Sequence, residues 1–152
     1  MEKLSKILVI HGPNLHLLGK REPEIYGNFT LGQIDQELKL RGSQEKIAIE
    51  TIQSNSEGEI VDKITNTTYD LLIINPAAYT HTSVAIRDAL LGINRPTIEV
   101  HLSNIYKREE FRKKSLISDV VLGIVAGFGK ESYFLAFDAA ISFLKDKSLE
   151  TK

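Results

Sequence analysis

The stretch Leu71-Leu72-Ile73-Ile74 decides the fold, because four consecutive apolar residues leave no polar face for solvent. A strand with one exposed face would alternate apolar and polar residues. A strand that is apolar on both faces is typical of a parallel sheet covered by helices on both sides. Pro76 follows shortly and ends the run, since proline has no backbone N–H for a strand ladder. We therefore predict a buried strand of a parallel sheet here.

Similar short apolar runs alternate with helical patterns along the rest of the chain. Further strands are predicted at residues 6–11, 47–52, 97–101 and 120–125. Apolar residues at three- and four-residue spacing predict helices at residues 30–44, after 56, and at 82–92 and 131–144, and residues 107–114 are predicted to form a short basic helix. This order is typical of βαβ units, and at 152 residues it predicts an α/β fold of the flavodoxin-like type. We expect a doubly wound, five-stranded parallel sheet with helices on both faces.

The domain organisation follows from the same pattern. No linker or repeat interrupts the alternation, so residues 1–152 are predicted to form a single domain whose polar tail, about 146–152, frays. Hydroxyl side chains mark the helix starts. Thr30 is expected to cap the first helix, Ser56 with Glu59 forms a capping-box pattern, and Thr80 or Thr82 is expected to cap the third.

The composition excludes several classes of function. Lys and Arg total 19 and Asp and Glu total 20, so the formal net charge of −1 does not favour binding to nucleic acid or to an anionic membrane. Without cysteine there are no disulfides, iron–sulfur clusters or thiol nucleophiles. The histidines show no metal-ligand spacing, and we expect neither a metal nor another cofactor. No run approaches the ~18 apolar residues of a membrane span, which predicts a cytoplasmic protein.

Doubly wound sheets bind ligands beyond the carboxyl ends of their strands. The loops at those ends carry amide, imidazole, cationic and phenolic side chains, a set suited to a carboxylate-bearing ligand and to proton transfer. These are Asn14, Arg21, Tyr26, Asn75, His81, His101, Ser103 and Arg112. Arg21 and Tyr26 lie in the long loop after the first strand, which has the length of a lid or binding loop.

Two local patterns remain open at this point. Glu99 and His101 are two residues apart and share one face of a strand, so they form either a structural ion pair or a carboxylate that orients a histidine for proton transfer. Arg108 and Arg112 have helical i, i+4 spacing and form either a solvated basic face or part of the site. Residues 53–58 are interpreted as a turn and a helix cap.

These residues belong to long motifs that resemble a known family. The motifs are Gly12-Pro13-Asn14-Leu15 with Gly19-Lys20-Arg21-Glu22-Pro23 and Tyr26-Gly27, then Gln53-Ser54-Asn55, Asn75-Pro76-Ala77-Ala78-Tyr79-Thr80-His81-Thr82-Ser83, and Glu99-Val100-His101-Leu102-Ser103-Asn104. They resemble the type II 3-dehydroquinate dehydratases of the shikimate pathway over about residues 5–145. The resemblance implies removal of water from 3-dehydroquinate to give 3-dehydroshikimate.

The resemblance also implies catalytic roles. Tyr26 is expected to be the general base that removes the proton beside the ketone, and Arg21 keeps Tyr26 ionised. His101 is expected to protonate the departing hydroxyl, with Glu99 orienting it. Asn14 is expected to hold a water near the enolate oxygen. His16 departs from the family pattern, where asparagine is commoner.

Substrate contacts and assembly are implied in the same way. Asp88 is expected to reach the active site of a neighbouring subunit, in trimers that assemble into a dodecamer. The expected contacts to the ring hydroxyls and the carboxylate come from Asn75, His81, Arg112 and the backbone of Leu102 and Ser103.

The proposed base is physically reasonable. A free tyrosine has a pKa of about 10, so ionisation near pH 7 needs about 4 kcal/mol of stabilisation. One guanidinium at about 4 Å supplies about that much at an effective dielectric constant of about 20. The alternatives are a non-catalytic or a flavin-binding flavodoxin-like module. The segment Gly12-Pro13-Asn14-Leu15 lacks the hydroxyl-rich phosphate loop that a flavin carrier needs.

Overall fold

The five predicted strands form one sheet in which all neighbouring strands are parallel. The computed structural model describes residues 4–20, 24 and 28–150, the last four of these by their backbone only. The strand order is β2-β1-β3-β4-β5, which is the flavodoxin-like order and confirms the predicted fold class. The strands are β1 (Lys6–His11), β2 (Ala48–Gln53), β3 (Leu71–Asn75), β4 (Thr97–His101) and β5 (Gly123–Ala126).

Helices cover both faces of this sheet, as predicted. In the described part of the chain the α-helices are α1 (Leu31–Gln44), α2 (Glu57–Asn66), α3 (Val84–Ile93) and α4 (Glu131–Glu150). Alternate residues of each strand point to opposite faces. Ile7 and Val9 pack in the core under α1 and α4, whereas Leu8 and Ile10 pack in the core under α2 and α3. Each of these side chains is fully buried and contributes about 1.5–3 kcal/mol through the hydrophobic effect.

The register places the functional ends of the strands side by side. His11 at the end of β1 is aligned with Gln53 of β2 and Asn75 of β3. On β3 and β1, Asn75 and His11 follow Ile73 and Val9 at two-residue spacing, so both face α1 and α4. On β4, Ile98 and Val100 occupy that same core, so Glu99 and His101 point to the other face, toward α2 and α3.

Two helix caps are as predicted and one is not. The Thr30 hydroxyl accepts a hydrogen bond from the Gln33 amide at 3.2 Å, and the Gln33 side chain accepts one from the Thr30 amide at 2.9 Å. The Ser56 hydroxyl caps α2 by accepting from the Glu59 amide at 3.2 Å, without the reciprocal Glu59 bond of the predicted capping box. The predicted cap of α3 by Thr80 or Thr82 is wrong. Residues 77–81 form a 3-10 turn, which delays the α-helix until Ser83 caps it.

Three element boundaries also differ from the prediction. The predicted helix at 107–114 is two 3-10 turns, Ile105–Lys107 and Glu110–Arg112, because the backbone at Arg108 and Glu109 is extended. Strand β5 begins at Gly123 rather than at 120, since a turn closed by the Val120 amide and the Ile117 carbonyl occupies that segment. Helix α4 continues to Glu150, through most of the tail expected to fray, because residues 145–150 contain no glycine or proline to end it.

Within the described residues, no helix is both long enough and apolar enough to cross a membrane.

Candidate active site

A pocket of about 140 Å³ opens at the carboxyl-terminal edge of the sheet. Its floor is formed by the ends of β3 and β4, and its wall by the turn that follows β1. Most of the predicted site residues line it. These are Asn14, Asn75, His81, His101, Leu102, Ser103 and Arg112. Apolar side chains complete the lining, among them Leu15, Leu17, Ala77 and Ile105.

Glu99 and His101 form a buried hydrogen-bonded pair behind this pocket. The Glu99 carboxylate lies 2.5 Å from His101 Nε2 and is fully buried, while His101 reaches the pocket. The Ser115 and Ser118 hydroxyls also donate to this carboxylate, at 2.9 and 2.7 Å. Burial by itself raises the pKa of the Glu99 carboxyl, but the hydrogen bonds from the imidazole and the two hydroxyls outweigh burial and hold the pKa below its usual value.

This pair fixes which ring nitrogen can act in the pocket. Because the pKa of Glu99 is lowered, the carboxylate is ionised near neutral pH and can only accept hydrogen bonds. His101 Nε2 therefore carries the hydrogen that points to Glu99, and Nδ1 is left for the pocket. A second proton on Nδ1 would form an imidazolium that the buried carboxylate stabilises. The geometry is that of a carboxylate-oriented general acid.

A hydrogen bond to a backbone carbonyl also fixes the tautomer of His81. Its Nδ1 lies 2.7 Å from the Lys114 carbonyl oxygen, which can only accept, so Nδ1 is the protonated nitrogen. Burial lowers the pKa of His81, and the nearby His101 and Arg112 lower it further. The neutral ring therefore presents Nε2 as a hydrogen-bond acceptor, which suits a ligand hydroxyl.

The turn that carries Asn14 is supported by residues the sequence did not single out for that role. The Asn14 amide donates to the Asn55 side-chain oxygen at 3.0 Å, and the Gln53 amide group donates to that oxygen and to the Gly12 carbonyl at 3.1 Å each. The segment after β2 is a turn and a helix cap, as predicted, and it also braces this wall. Asn14 adopts a left-handed φ of 70°, which asparagine tolerates better than most residues.

Gly12 is required by the close approach of the loops after β1 and β3. A Cβ atom at Gly12 would lie 2.5 Å from the Pro76 carbonyl oxygen. The Gly12 amide donates to the Asn75 carbonyl at 2.8 Å, and the Asn75 side-chain oxygen accepts from the Ala77 amide at 3.0 Å. Asn75 is thus buried and held at the floor of the pocket.

Both predicted arginines of the basic segment reach the pocket, although the segment is not a helix. Arg112 donates to Glu109 at 3.0 Å and is partly buried. Arg108 lines the pocket as well. Of the two interpretations left open by the sequence, a solvated basic face or part of the site, the structure favours the second. Two guanidinium groups at one end of the cavity favour an anionic ligand.

The comparisons with known proteins place the chain in a family. The family model described as "Dehydroquinase class II" matches residues 5–141. The chain belongs to the class II dehydroquinases. A protein from Francisella philomiragia named 3-dehydroquinate dehydratase is 57% identical over 141 residues, covering 93% of this chain and 97% of that protein. A protein of the same name from Clostridium botulinum is 53% identical over 143 residues, covering 93% and 97%.

Solved structures agree with this family and with the fold. The type II dehydroquinase from Butyrivibrio crossotus has a TM-score of 0.87 and 44% identity, over 90% of this chain and 97% of that one. The one from Propionibacterium acnes has a TM-score of 0.86 and 41% identity, over 93% and 99%. The resemblance stated from the motifs is thereby confirmed.

Some predicted residues of this class II dehydroquinase do not lie in its pocket. Asp88 is exposed on α3 and is not among the residues that line the pocket of its own chain. Glu99 lies behind His101 rather than in the lining. His16 is exposed and is not itself in the lining, although its neighbours Leu15 and Leu17 are. Arg21 and Tyr26 lie outside the described residues.

Proposed function

We propose that the protein removes water from 3-dehydroquinate to give 3-dehydroshikimate and is therefore a hydro-lyase. Membership of the class II dehydroquinases and the names of the relatives support this substrate. The observation that carries the chemistry is the Glu99–His101 pair, which presents one imidazole nitrogen to a pocket lined by Arg108 and Arg112. The cationic end of that pocket suits the substrate's carboxylate.

The first step is removal of a proton from the carbon beside the ketone. Tyr26 is the proposed base, with Arg21 stabilising its phenolate, since both stand in the loop after β1 that borders the pocket. The C–H electron pair moves into the ring to form an enolate, whose negative charge lies on the ketone oxygen. A water held by Asn14 would donate a hydrogen bond to that oxygen.

The second step expels the hydroxyl group that is β to the ketone. The enolate electrons return to form the ring double bond, the C–O bond breaks, and His101 Nδ1 supplies the proton that converts the leaving group to water. Glu99 stabilises the imidazolium before transfer and keeps the ring oriented. A base in the loop and an acid at the end of β4 would act from opposite sides of the substrate ring, which gives an anti elimination.

The remaining contacts hold the ring in place. His81 offers Nε2 as an acceptor for a hydroxyl, and Arg112 binds the carboxylate. Asn75 offers its amide to a second hydroxyl, and the backbone of Leu102 and Ser103 completes the set.

The assembly is a further part of the proposal. Asp88 is exposed on α3, and an exposed carboxylate on a helix is free to reach a neighbouring subunit. We propose trimers that assemble into a dodecamer, in which each Asp88 completes the polar network of a neighbouring site. The proposed enzyme is a single catalytic domain that needs no cofactor and works in the cytoplasm.

The test is to add 3-dehydroquinate and follow the ultraviolet absorbance of the conjugated enone. Turnover by the wild-type protein is expected, and its absence would overturn the proposed function. Tyr26→Phe removes only the phenolic oxygen and should abolish turnover while the circular dichroism spectrum stays unchanged. A Phe variant that kept a tenth of the wild-type rate would contradict the base assignment.

Stereospecific deuterium labelling at the carbon beside the ketone tests the geometry. Anti elimination removes the hydrogen on the face opposite to the departing hydroxyl, so deuterium at that position should be lost and deuterium at the other retained. The reverse pattern would contradict the placement of base and acid on opposite sides.

A further inference from the structure

Two serine hydroxyls in the segment before β5 contact the buried carboxylate behind His101. Ser115 and Ser118 lie outside every motif quoted above. Ser115 Oγ lies 2.9 Å from Glu99 Oε2, the oxygen that also contacts His101 Nε2, and Ser118 Oγ lies 2.7 Å from Glu99 Oε1. Because Glu99 is fully buried, these side chains take the place of water around both of its oxygens.

The Ser115 hydroxyl acts as a donor toward Glu99. Its oxygen accepts hydrogen bonds from the Ile117 amide at 3.2 Å and from the Ser118 amide at 3.1 Å. A hydroxyl oxygen has two lone pairs, and these two amides use both. The hydrogen of Ser115 is therefore directed to Glu99 Oε2.

The turn that carries both serines is anchored on two sides. Ile117 is fully buried in the core under α2 and α3. The Leu116 amide donates to the Thr80 carbonyl at 2.9 Å, and the Leu116 carbonyl accepts from the Arg87 guanidinium at 2.8 Å. The same guanidinium pairs with Asp119. The two hydroxyls are thus held in place by the fold before any substrate binds.

These donors bear on a proton that Glu99 and His101 can share. When His101 holds two ring protons, the one on Nε2 can stay on the ring or move to Glu99 Oε2. If it stays, the pocket faces an imidazolium, and if it moves, the pocket faces a neutral ring that is a far weaker acid. A carboxylate oxygen accepts a hydrogen bond more strongly than the oxygen of a neutral carboxyl group, so donation from Ser115 favours the imidazolium.

The other charged groups in this region are distinct from the serines. His81, in the turn after β3, interacts electrostatically with Glu99 and His101, and Arg112 interacts with His81. Arg87 is the cation of α3 that reaches the turn, where it bonds to a backbone carbonyl. The serines carry no charge and act on Glu99 by hydrogen bonding alone.

We propose that Ser115 and Ser118 are positioning residues that keep the shared proton on His101, so that an imidazolium faces the substrate. Transfer of the Nδ1 proton to the departing hydroxyl then leaves a neutral ring, whose remaining hydrogen is on Nε2 and still bonds to the Glu99 carboxylate. The inference rests on the proposed function, because the acid role of His101 belongs to that proposal.

Carbon-13 NMR of the Glu99 carboxyl tests the proposal without substrate. In the wild type, the signal near pH 7 should be that of a carboxylate. Ser115→Ala and Ser118→Ala each remove one donor, so the carboxyl should take up its proton at a higher pH in either variant. An unchanged titration in both variants would overturn the proposal. Ser118→Ala decides if Ser115→Ala does not fold, because the amides of the turn bond to Ser115.

Kinetics with two leaving groups distinguish this role from a merely structural one. With 3-dehydroquinate, each serine-to-alanine change should lower kcat about tenfold and leave KM within about twofold. An analogue with fluoride in place of the departing hydroxyl needs no proton for departure, so its kcat should fall by less than about twofold. Equal losses with both substrates would overturn the proposal, since a disturbed pocket slows both reactions.

Ser132→Ala is the matched control. Ser132 is fully buried on α4, which covers the other face of the sheet, and its hydroxyl accepts from the Phe128 amide at 3.0 Å. This change should alter neither the Glu99 titration nor kcat. Effects equal to those of Ser118→Ala would mean that loss of any buried serine hydroxyl perturbs the site, and would overturn the proposal. Wild-type turnover of 3-dehydroquinate, measured in parallel, separates failure of this proposal from failure of the proposed function.

Discussion

Two histidine–carboxylate pairs lie at one edge of the sheet, on opposite faces, and they differ in which partner faces the pocket or the solvent. In the pair under α2 and α3, the Glu99 carboxylate is fully buried and His101 reaches the pocket. In the pair under α1 and α4, His11 is fully buried and the Asp35 carboxylate is the partly exposed end. Both pairs join an imidazole Nε2 to a carboxylate, but His101 lines the pocket and His11 does not.

The difference teaches that a histidine–carboxylate contact does not by itself identify an acid–base catalyst. His101 can exchange a proton with a ligand because one ring nitrogen remains available at the pocket. Both ring nitrogens of His11 are already hydrogen-bonded, to Asp35 and to Tyr133. His101 is therefore assigned to proton transfer, whereas His11 links β1 to α1 and α4 through Asp35 and Tyr133.

The largest expected effect comes from replacing each histidine by asparagine. His101→Asn should lower kcat about 10²- to 10⁴-fold, the usual contribution of a general acid, with little change in KM. His11→Asn should reduce the free energy of unfolding by about 2–3 kcal/mol because it breaks a buried hydrogen-bond network, but kcat should stay within about tenfold of wild type. Steady-state kinetics and urea unfolding on the same samples check both. Equal losses of kcat would erase the distinction between the pairs.

The next effect comes from exchanging each carboxylate for its amide. Glu99→Gln removes the charge that stabilises the His101 imidazolium, and kcat should fall about 10- to 100-fold. Asp35→Asn keeps an oxygen that accepts from His11 at the partly exposed end, so kcat and KM should stay within about twofold. Kinetics at saturating substrate measure both variants. A larger loss for Asp35→Asn than for Glu99→Gln would reverse the assignment of roles.

A smaller effect is expected on the acid unfolding of the Glu99→Gln variant. The pKa of Glu99 is lowered in the folded protein, so the folded state binds fewer protons than the unfolded state as the carboxyls titrate. Its contribution to stability is fully present above the ordinary value of 4.5 and is lost as the pH falls through the lower folded pKa. Urea unfolding between about pH 7 and about pH 3.5 should therefore show a shallower acid loss for Glu99→Gln than for wild type. Parallel curves would contradict the lowered pKa.

The smallest effect concerns His81, a third imidazole at this edge, whose Nδ1 bonds to a backbone carbonyl rather than to a carboxylate. Burial lowers its pKa below the ordinary 6.5, and the hydrogen bond to the Lys114 carbonyl offsets this only in part. An NMR titration of its ring should place the midpoint below that value. A midpoint above that value would contradict the effect of burial on this ring and the role of Nε2 as an acceptor that follows from it.

The sequence predicted the sheet, the helices that flank it and most of the pocket because these depend on local patterns. The apolar run at 71–74 by itself predicts a buried parallel strand. Residues that follow such strands are expected at the ligand-binding edge of the sheet. The sequence left open whether Arg108 lies on a solvated face or in the site. Its i, i+4 spacing to Arg112 suggested a single helix, but the extended backbone at Arg108 and Glu109 separates two 3-10 turns instead.

The contacts among Asp35, His11 and Tyr133 were missed for a different reason. His11 and Tyr133 are 122 residues apart and meet only because α4 packs on the face of the sheet to which His11 points. A tyrosine in an apolar helical stripe has the same sequence pattern whether or not its hydroxyl finds a partner. The contact between His11 and Tyr133 can be recognised only once the packing of α4 on the sheet is known.

The central claim is that His101 protonates the departing hydroxyl. The most direct test replaces that hydroxyl with fluoride, in an analogue of 3-dehydroquinate, because fluoride leaves the enolate without prior protonation. The His101→Asn variant, slow with 3-dehydroquinate, should convert the fluoro analogue at a rate within about tenfold of wild type. An undiminished defect of about 10²-fold or more with the analogue would contradict the role of His101 as the acid.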